Sequence, residues 1–393
     1  MIANGSDYYF SFKTIDVIRN GQLIKKLTDD NCEYSTSTNS LITYTTGTKM
    51  SKTRDYYNSE KVRLSALIKE GFFGLDETGN GFFKGKTYPF VLQQKGAFTN
   101  LYEPIRSEAL SYFTINKIDW WAGRKPTGHT LSSQIACVNH LMAIRKDPVA
   151  VLALLNGIRN QFKEVLPIPC DSDVSYIAFE AVSKKDHLNE DGPTRGSNCT
   201  SVDALIYAVD NNNESWIIPI EWKYTESYDD CKSGDKSNEG ITYKIETNPH
   251  KKPKGEVRLD RYSALIKNSE QLRSIPSFVE NPNYDFQGSV YFFEPFYQLM
   301  RQTLWAEQMI QHKEEEDIRA DHYLHIHVIP QEDTDLLNKE YRPANNNNME
   351  DTWRACLVDQ SKYLIVDPKN LMLPIKDSYP ELWDYLAKRY FNN

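Results

Sequence analysis

Two acids and a lysine in this sequence share a spacing that can do chemistry: Asp203, then Glu221-Trp-Lys223. Between them lie two β-type runs, Ala204 to Val209 and Trp216 to Ile220, separated by Asn211-Asn-Asn213, which suits a turn. A hairpin centred on Asn212 sets Asp203 directly opposite Glu221, with Cβ atoms about 4.5–5.5 Å apart. Carboxylates that close repel each other unless a cation lies between them or one is protonated. Side chains alternate along a strand, so Lys223 shares a face with Glu221. The pattern predicts a site for a hard divalent cation with an ammonium beside it. Mg²⁺ prefers carboxylate oxygens, keeps several waters and commonly bridges to phosphate. Held by Asp203 and Glu221, it would polarise a phosphoryl oxygen and acidify an attacking water. Lys223 would orient or help deprotonate that water and stabilise charge in the transition state. The expected reaction is phosphodiester hydrolysis, with Mn²⁺ as a substitute metal.

The elements that must position these residues are legible around them. From Tyr102 onward, Ile105, Ala109, Tyr112 and Phe113 recur at helical spacing. A second helix follows over Ser132 to Ile144, with Thr130 as a hydroxyl cap, and Pro148 opens a third that runs toward Phe162. Val174 to Val182 reads as a strand, interrupted by Glu180, where an acid is costly unless paired or coordinated. Glu180 is therefore a third candidate metal carboxylate, and Gln134 a candidate support from the preceding helix. Further on, Leu259 to Ser269 and Phe296 to His312 read as helices, Gly288 to Phe293 as extended, and His322 to Ile329 as a late strand. Before all this, Ile15 to Ile18, Asn20-Gly21 and Gln22 to Ile24 form a hairpin pattern. The fold class is α/β: a mixed central sheet of about four or more strands flanked by helices, with a β-rich N-terminal extension. The expected division is 1–95 as that extension, 96–330 as the core, and 331–393 as a C-terminal extension packed on it.

Composition excludes several classes. Of 393 residues, 40% are hydrophobic and 25% charged, so the chain is neither low-complexity nor largely disordered. The longest apolar stretch, Val149 to Leu155, is too short to cross a bilayer, and no secretory leader is evident. Six cysteines without a C-x-x-C pair argue against a zinc ribbon or a disulfide scaffold and fit a cytoplasmic protein. A balance of 46 basic against 54 acidic residues gives a net charge of −8, so any nucleic-acid affinity must come from a local basic patch. Lys251, Lys252 and Lys254, continuing to Arg258 and Arg261, are candidates to track phosphates.

Asp203 with Glu221-Trp-Lys223 resembles the catalytic motif of the PD-(D/E)XK nucleases, the superfamily of many restriction endonucleases. The wider run is similar to an uncharacterised bacterial branch of restriction-endonuclease-like proteins: Phe179-Glu180, Gly192-Pro-Thr-Arg-Gly196, Ser201-Val-Asp203 and Glu221-Trp-Lys-Tyr-Thr-Glu226. The likeness extends to Ser133-Gln134 and to Tyr297-Gln-Leu-Met-Arg301-Gln302. Val202 stands where the superfamily name has proline. The resemblance implies a four-stranded mixed sheet, Mg²⁺ dependence and DNA as substrate. Arg195, in the glycine-flanked loop, is a candidate phosphate contact, and a homodimer is left open.

Other patterns carry bland readings. His325-x-His327 places two imidazoles on one strand face without further metal ligands nearby in sequence. Glu226 falls on the strand face opposite Glu221 and reads as structural. Trp120-Trp121 before Arg124-Lys125 suggests base stacking, yet paired tryptophans are more often core. The expected function is a Mg²⁺-dependent endodeoxyribonuclease of restriction type. Its rivals are an inactive nuclease fold used for nucleic-acid binding or scaffolding, and a nuclease acting on RNA or branched DNA.

Overall fold

The structure is a computed structural model that describes residues 15–19, 22–27, 32–35, 40–43, 54–121, 123–169, 174–191, 199–228, 234–240, 252–275, 282–344 and 347–391. Two units divide at Thr53 and Arg54. In the first, β1 (Ile15–Arg19) pairs antiparallel with β2 (Gln22–Leu27), and β3 (Cys32–Ser35) with β4 (Ser40–Thr43). Arg19 faces Gln22, so two residues connect β1 to β2, as an Asn-Gly turn requires.

The second unit begins with α1 (Asp55–Lys69) and a hairpin of β5 (Gly81–Phe83) and β6 (Lys86–Tyr88). Three helices follow: α2 (Arg106–Ile115), α3 (Ser133–Leu141) and α4 (Pro148–Ile158). Ser132, not Thr130, caps α3, its hydroxyl accepting from the Ile135 amide. Asp147 caps α4, whose last residue precedes β7 (Phe162–Leu166), so the helix stops short of Phe162. The strand run beyond divides into β9 (Val174–Ser175), paired with β8 (Ile168–Pro169), and β10 (Ile177–Ala181). Next come β11 (Val202–Asp210), β12 (Ser215–Trp222), α5 (Lys254–Asn268) and α6 (Phe296–Gln311). Residues Val290–Phe292, expected to be extended, form a 3-10 turn leading into α6. The late strand is two pieces, β13 (His322–Tyr323) and β14 (His325–Val328). The chain ends with α7 (Thr334–Leu337), α8 (Met349–Cys356), β15 (Tyr363–Val366), α9 (Pro368–Met372) and α10 (Pro380–Tyr390).

Seven strands make the central sheet, in the order β10-β11-β12-β14-β15, with β7 continuing the β10 edge along β11 and β13 preceding β14 along β12. β10, β11 and β12 run antiparallel, whereas β12, β14 and β15 are parallel and need helical crossovers. Alternation along the strands feeds two cores. Ala204, Ile206, Ala208, Ile218, Ile220 and Trp222 pack with α1 to α4 and α10, while Leu205 and Ile217 pack with α5, α6 and α8. Such a sheet, covered on both faces, is the α/β architecture expected from the alternating elements.

The division expected at 95 and 330 is not the one the contacts make. Residues 54–95 belong to the second unit, and the tail supplies β15 to the sheet itself. Arg389 of α10 is fully buried and donates to the Asn100 carbonyl at 2.9 Å and to the Asn100 side chain. Phe73 and Tyr390 rings flank its guanidinium. Arg389→Ala would take the donor from the Asn100 side-chain oxygen in the interior and remove the packed guanidinium, a loss of about 2–4 kcal/mol. Urea unfolding should register it as a lower midpoint; an unchanged midpoint would mean that α10 docks without this contact.

Candidate active site

The β11–β12 register carries the site. Its ladder runs from Val209 opposite Ser215 down to Ala204 opposite Ile220, and the next step sets Asp203 opposite Glu221. The turn is held by the Asp210 carboxylate, which accepts from the Asn212 and Glu214 amides at 2.8 and 2.9 Å, with Asn213 in the left-handed region at φ 67°. Across β11's other side, Phe179 faces Ala204 and Ala181 faces Val202, which brackets Glu180 opposite Asp203. Glu180, Asp203 and Glu221 therefore form one row across three adjacent strands. Glu180 adopts φ 47°, a left-handed conformation that costs a non-glycine residue about 1–3 kcal/mol. Beyond Glu221 the row continues to His327 on β14.

Glu221 and Lys223 are 5% and 4% exposed. Lys223 Nζ donates to Glu221 Oε1 at 2.5 Å and to Gln298 Oε1 at 2.6 Å, and Gln302 Nε2 donates to Glu221 Oε2. Gln298 and Gln302 lie one turn apart on α6, so this helix is the wall against which the pair is set. Asp203 Oδ2 accepts from the Trp222 amide at 2.7 Å, where β12 ends. Glu180 accepts from Gln134 Nε2 at 2.7 Å and from the Ser201 hydroxyl at 2.9 Å. Each carboxylate is thus held by its own donors. Among the described residues, no three His, Cys, Asp or Glu side chains gather into a ready-made metal cage.

Electrostatics follow from burial and crowding. Burial first, then Glu221 and Glu180, push the Asp203 carboxyl well above its usual range, against the pull of Lys223 and the Trp222 amide. Glu180 is also pushed up by burial, with Gln134 and Ser201 opposing and Glu221 adding to the rise. Burial works against the Lys223 charge, but Glu221, then Tyr228, Glu226 and Asp203, hold it as an ammonium well above the ordinary lysine range. An ammonium cannot take a proton from water, so the expected part of Lys223 in deprotonating the water is not supported.

Residues 55–391 match a family model described as Restriction Endonuclease associating with ARP. The chain belongs to that family. No curated protein and no solved structure matches it. The match begins with α1 and ends just after α10, so it spans nearly the whole second unit of this restriction-endonuclease family member. The family gives the acid row a nuclease-type setting.

Of the other residues read from the sequence, Gln134 is brought to the row through Glu180. Arg195 and Lys251 lie outside the described residues, as does His250. Lys252 pairs with Asp260 at 2.7 Å and Lys254 with Glu239 at 3.2 Å, both pairs exposed. Exposed pairs of this kind contribute little and leave the ammonium groups exchangeable. Glu226 caps the chain beyond the site by accepting from the Tyr224 and Thr225 amides at 2.6 and 2.9 Å. His325 and His327 are buried, with burial holding His325 down at about 4, and His327 bonds to the Tyr363 hydroxyl at 2.9 Å.

Sequence reasoning missed the roles of Gln298 and Gln302, although both lie in the segment that carried the resemblance. The available signal was a polar residue inside an apolar helix face: Gln302 is buried among Leu299, Met300, Leu304 and Trp305. It also missed Glu190, which accepts from the Thr200 hydroxyl at 2.7 Å, from Arg301 Nη2 at 3.1 Å and from the Tyr262 hydroxyl. That carboxylate ties the chain on both sides of the Gly-Pro-Thr-Arg-Gly loop to α5 and α6.

The raised carboxyls make stability depend on pH. A group whose folded-state pKa exceeds its unfolded value contributes stability in full below the unfolded value and loses it as pH rises through the folded one. For Asp203 and Glu180 that window opens near pH 4, the ordinary carboxylate range, and extends upward. Asp203→Asn keeps an acceptor for the Trp222 amide and removes the repulsion. Metal-free melts of this variant should therefore exceed the parent's at pH 8 and converge with them toward pH 4. Melting curves that differ equally at both pH values would show that Asp203 is not repelled by its neighbours.

Proposed function

We propose that this protein is a Mg²⁺-dependent endonuclease that hydrolyses phosphodiester bonds in DNA. The observation that carries the reading is the row of Glu180, Asp203 and Glu221, the last buried and the other two partly exposed, with Lys223 against its end. Membership in a restriction-endonuclease family supports DNA as the substrate.

The donor set fits a hard divalent cation. Its oxygens are carboxylates, two of them destabilised as anions by burial and then by neighbouring acids, and Asp203 Oδ1 has no hydrogen-bond partner among the described residues. Mg²⁺ needs only one or two carboxylates beside waters and phosphate oxygens, so a closed protein cage is not required. Asp203 and Glu221 would hold it, with Glu180 beside them. When bound there, the ion supplies Lewis acidity toward a phosphoryl oxygen and toward a nucleophilic water.

The protein's own groups do the rest. Glu221 and Gln298 both accept from the Lys223 ammonium and fix its position beside the row. A charged donor in a dry setting is worth most where charge develops, here on the oxygens of the pentacovalent phosphate. Gln302 fixes the second Glu221 oxygen, and Gln134 with Ser201 fixes Glu180, so neither carboxylate has to reorganise. Among the described residues no helix is long and apolar enough to span a membrane.

Purified protein with Mg²⁺ or Mn²⁺, tested on plasmid, linear and single-stranded DNA and on RNA, tests the reading. Lys223→Ala should cut plasmid at least about a hundredfold more slowly, the scale of losing one transition-state donor. Its DNA affinity should stay nearly that of the parent, because one ammonium adds little to an interface of many phosphates. Cleavage at the parent rate would remove Lys223 from the chemistry. Mg²⁺ should also stabilise the fold by mass action, by about 2.7 kcal/mol at a hundredfold excess over Kd, and so raise the melting temperature. Asp203→Asn should shrink that rise, and a full rise in the variant would put the metal elsewhere.

A further inference from the structure

The two adjacent tryptophans have opposite fates. Trp120 is 4% exposed and stacks on Phe113 with ring centroids 3.8 Å apart. Trp121 is 42% exposed, and beside it stand Phe83, with centroids 5.1 Å apart, and the Lys84 ammonium, 6.0 Å from the ring. The neighbouring Phe82, on the same β5–β6 hairpin, is 73% exposed. A fold with two ample cores has no need to leave two large aromatic rings in water. The hairpin turns through Lys84 and Gly85, both at positive φ, where glycine is free of the strain a side chain brings. Phe82, Lys84 and Lys86 are exposed there, but alternation along β5 sets Phe82 on the hairpin face opposite Phe83, so Phe83 and Lys84 are the residues beside Trp121.

Charge points the same way. In a chain of net charge −8, the stretches 81–88 and 117–128 carry Lys84, Lys86, Lys117, Arg124 and Lys125 against the single acid Asp119. Exposed aromatic rings interleaved with cations are the surface on which unpaired bases stack while phosphates are neutralised. A partner helix would instead require a contiguous apolar groove, and these rings are surrounded by charge.

A direct link joins this surface to the acid row. Gln134 Oε1 accepts from the Trp121 amide at 2.7 Å, and Gln134 Nε2 donates to Glu180 Oε1 at 2.7 Å. One side chain therefore sets both Glu180 and the backbone that carries the exposed indole.

We propose that Trp121, with Phe83, Lys84 and Lys86 beside it, forms a stacking platform for unpaired nucleobases of the DNA that enters the acid row. The substrate is then single-stranded DNA, or duplex with an unpaired segment beside the scissile phosphate. This deepens the nuclease reading and rests on it.

The test uses the full chain without divalent metal, and fluorescence anisotropy on a labelled 20-nucleotide single strand and on a blunt duplex of the same sequence. Trp121→Ala should weaken single-strand binding about five- to a hundredfold, whereas Phe82→Ala, on the other face of the hairpin, should change it less than twofold. Blunt-duplex binding should change less than twofold in either variant. Trp121→Phe should restore most of the loss, which a merely structural role in the loop would not predict for base binding. Lys84→Glu with Lys86→Glu should weaken both ligands and flatten the salt dependence. Unchanged single-strand affinity in Trp121→Ala, or an equal loss on blunt duplex, overturns the platform. So does a homodimer lost in Trp121→Glu by light scattering with single-strand affinity kept, since a second copy would then be the occupant. If the parent cuts plasmid in Mg²⁺ while Trp121→Ala binds normally, only the platform falls. If the parent neither cuts nor binds any nucleic acid, the nuclease reading falls with it.

Discussion

Everything in the site depends on one unfavourable interaction: the repulsion between acids that the β11–β12 register sets face to face. The register itself is not negotiable. A slip of one residue would turn Ile206, Ala208, Ile218 and Ile220 away from the core that buries them. The apolar alternation and the Asp210 turn thus force Asp203 and Glu221 together and keep them there. A buried acid pair would ordinarily be lost to protonation or to local opening. Here Lys223 supplies a fixed positive charge at the row's end, and its own burial is tolerable only because Glu221 is in contact with it.

That arrangement explains why the supporting residues are amides. Gln134, Gln298 and Gln302 bond to the charged groups without adding charge. Another lysine or arginine in their place would neutralise the row. Another acid would add to the burial and repulsion that already push Asp203 and Glu180 upward. Neutral donors hold the carboxylates in position while leaving their electrostatic demand unmet. The two helices that supply these amides, α3 and α6, lie in the two different cores, so the row is gripped from both faces of the sheet.

What was legible in the sequence follows from this physics. Asp203, Glu221 and Lys223 could be placed because strand periodicity and a symmetric turn are local rules, and the Asn212-centred hairpin needs nothing from the rest of the chain. Glu180 was visible as an acid inside an apolar run, although its left-handed backbone was not, since that conformation is imposed by the bonds to Gln134 and Ser201 from outside the strand. Gln298 and Gln302 could be seen as odd polar residues but not assigned, because α6 reaches the row only through a crossover that spans much of the chain. That residues 331–393 add a strand to the sheet was not legible for a related reason. β15 joins the sheet by parallel pairing with β14, and parallel partners carry no mark of one another in sequence.

The same reasoning bears on why Lys223 is a lysine. An arginine would carry the charge permanently, yet its planar fork would engage both Glu221 oxygens at once and close that carboxylate to a metal. Lysine is a point charge on a flexible stem, and it contacts only Glu221 Oε1, with Gln302 on Oε2. A neutral amide yields a carboxylate oxygen to a divalent ion at small cost, and an ammonium can swing from Oε1 toward an incoming phosphate. On the proposed nuclease reading, the contacts that stabilise the row without a ligand are the ones that a phosphate and its counter-ion would most easily replace.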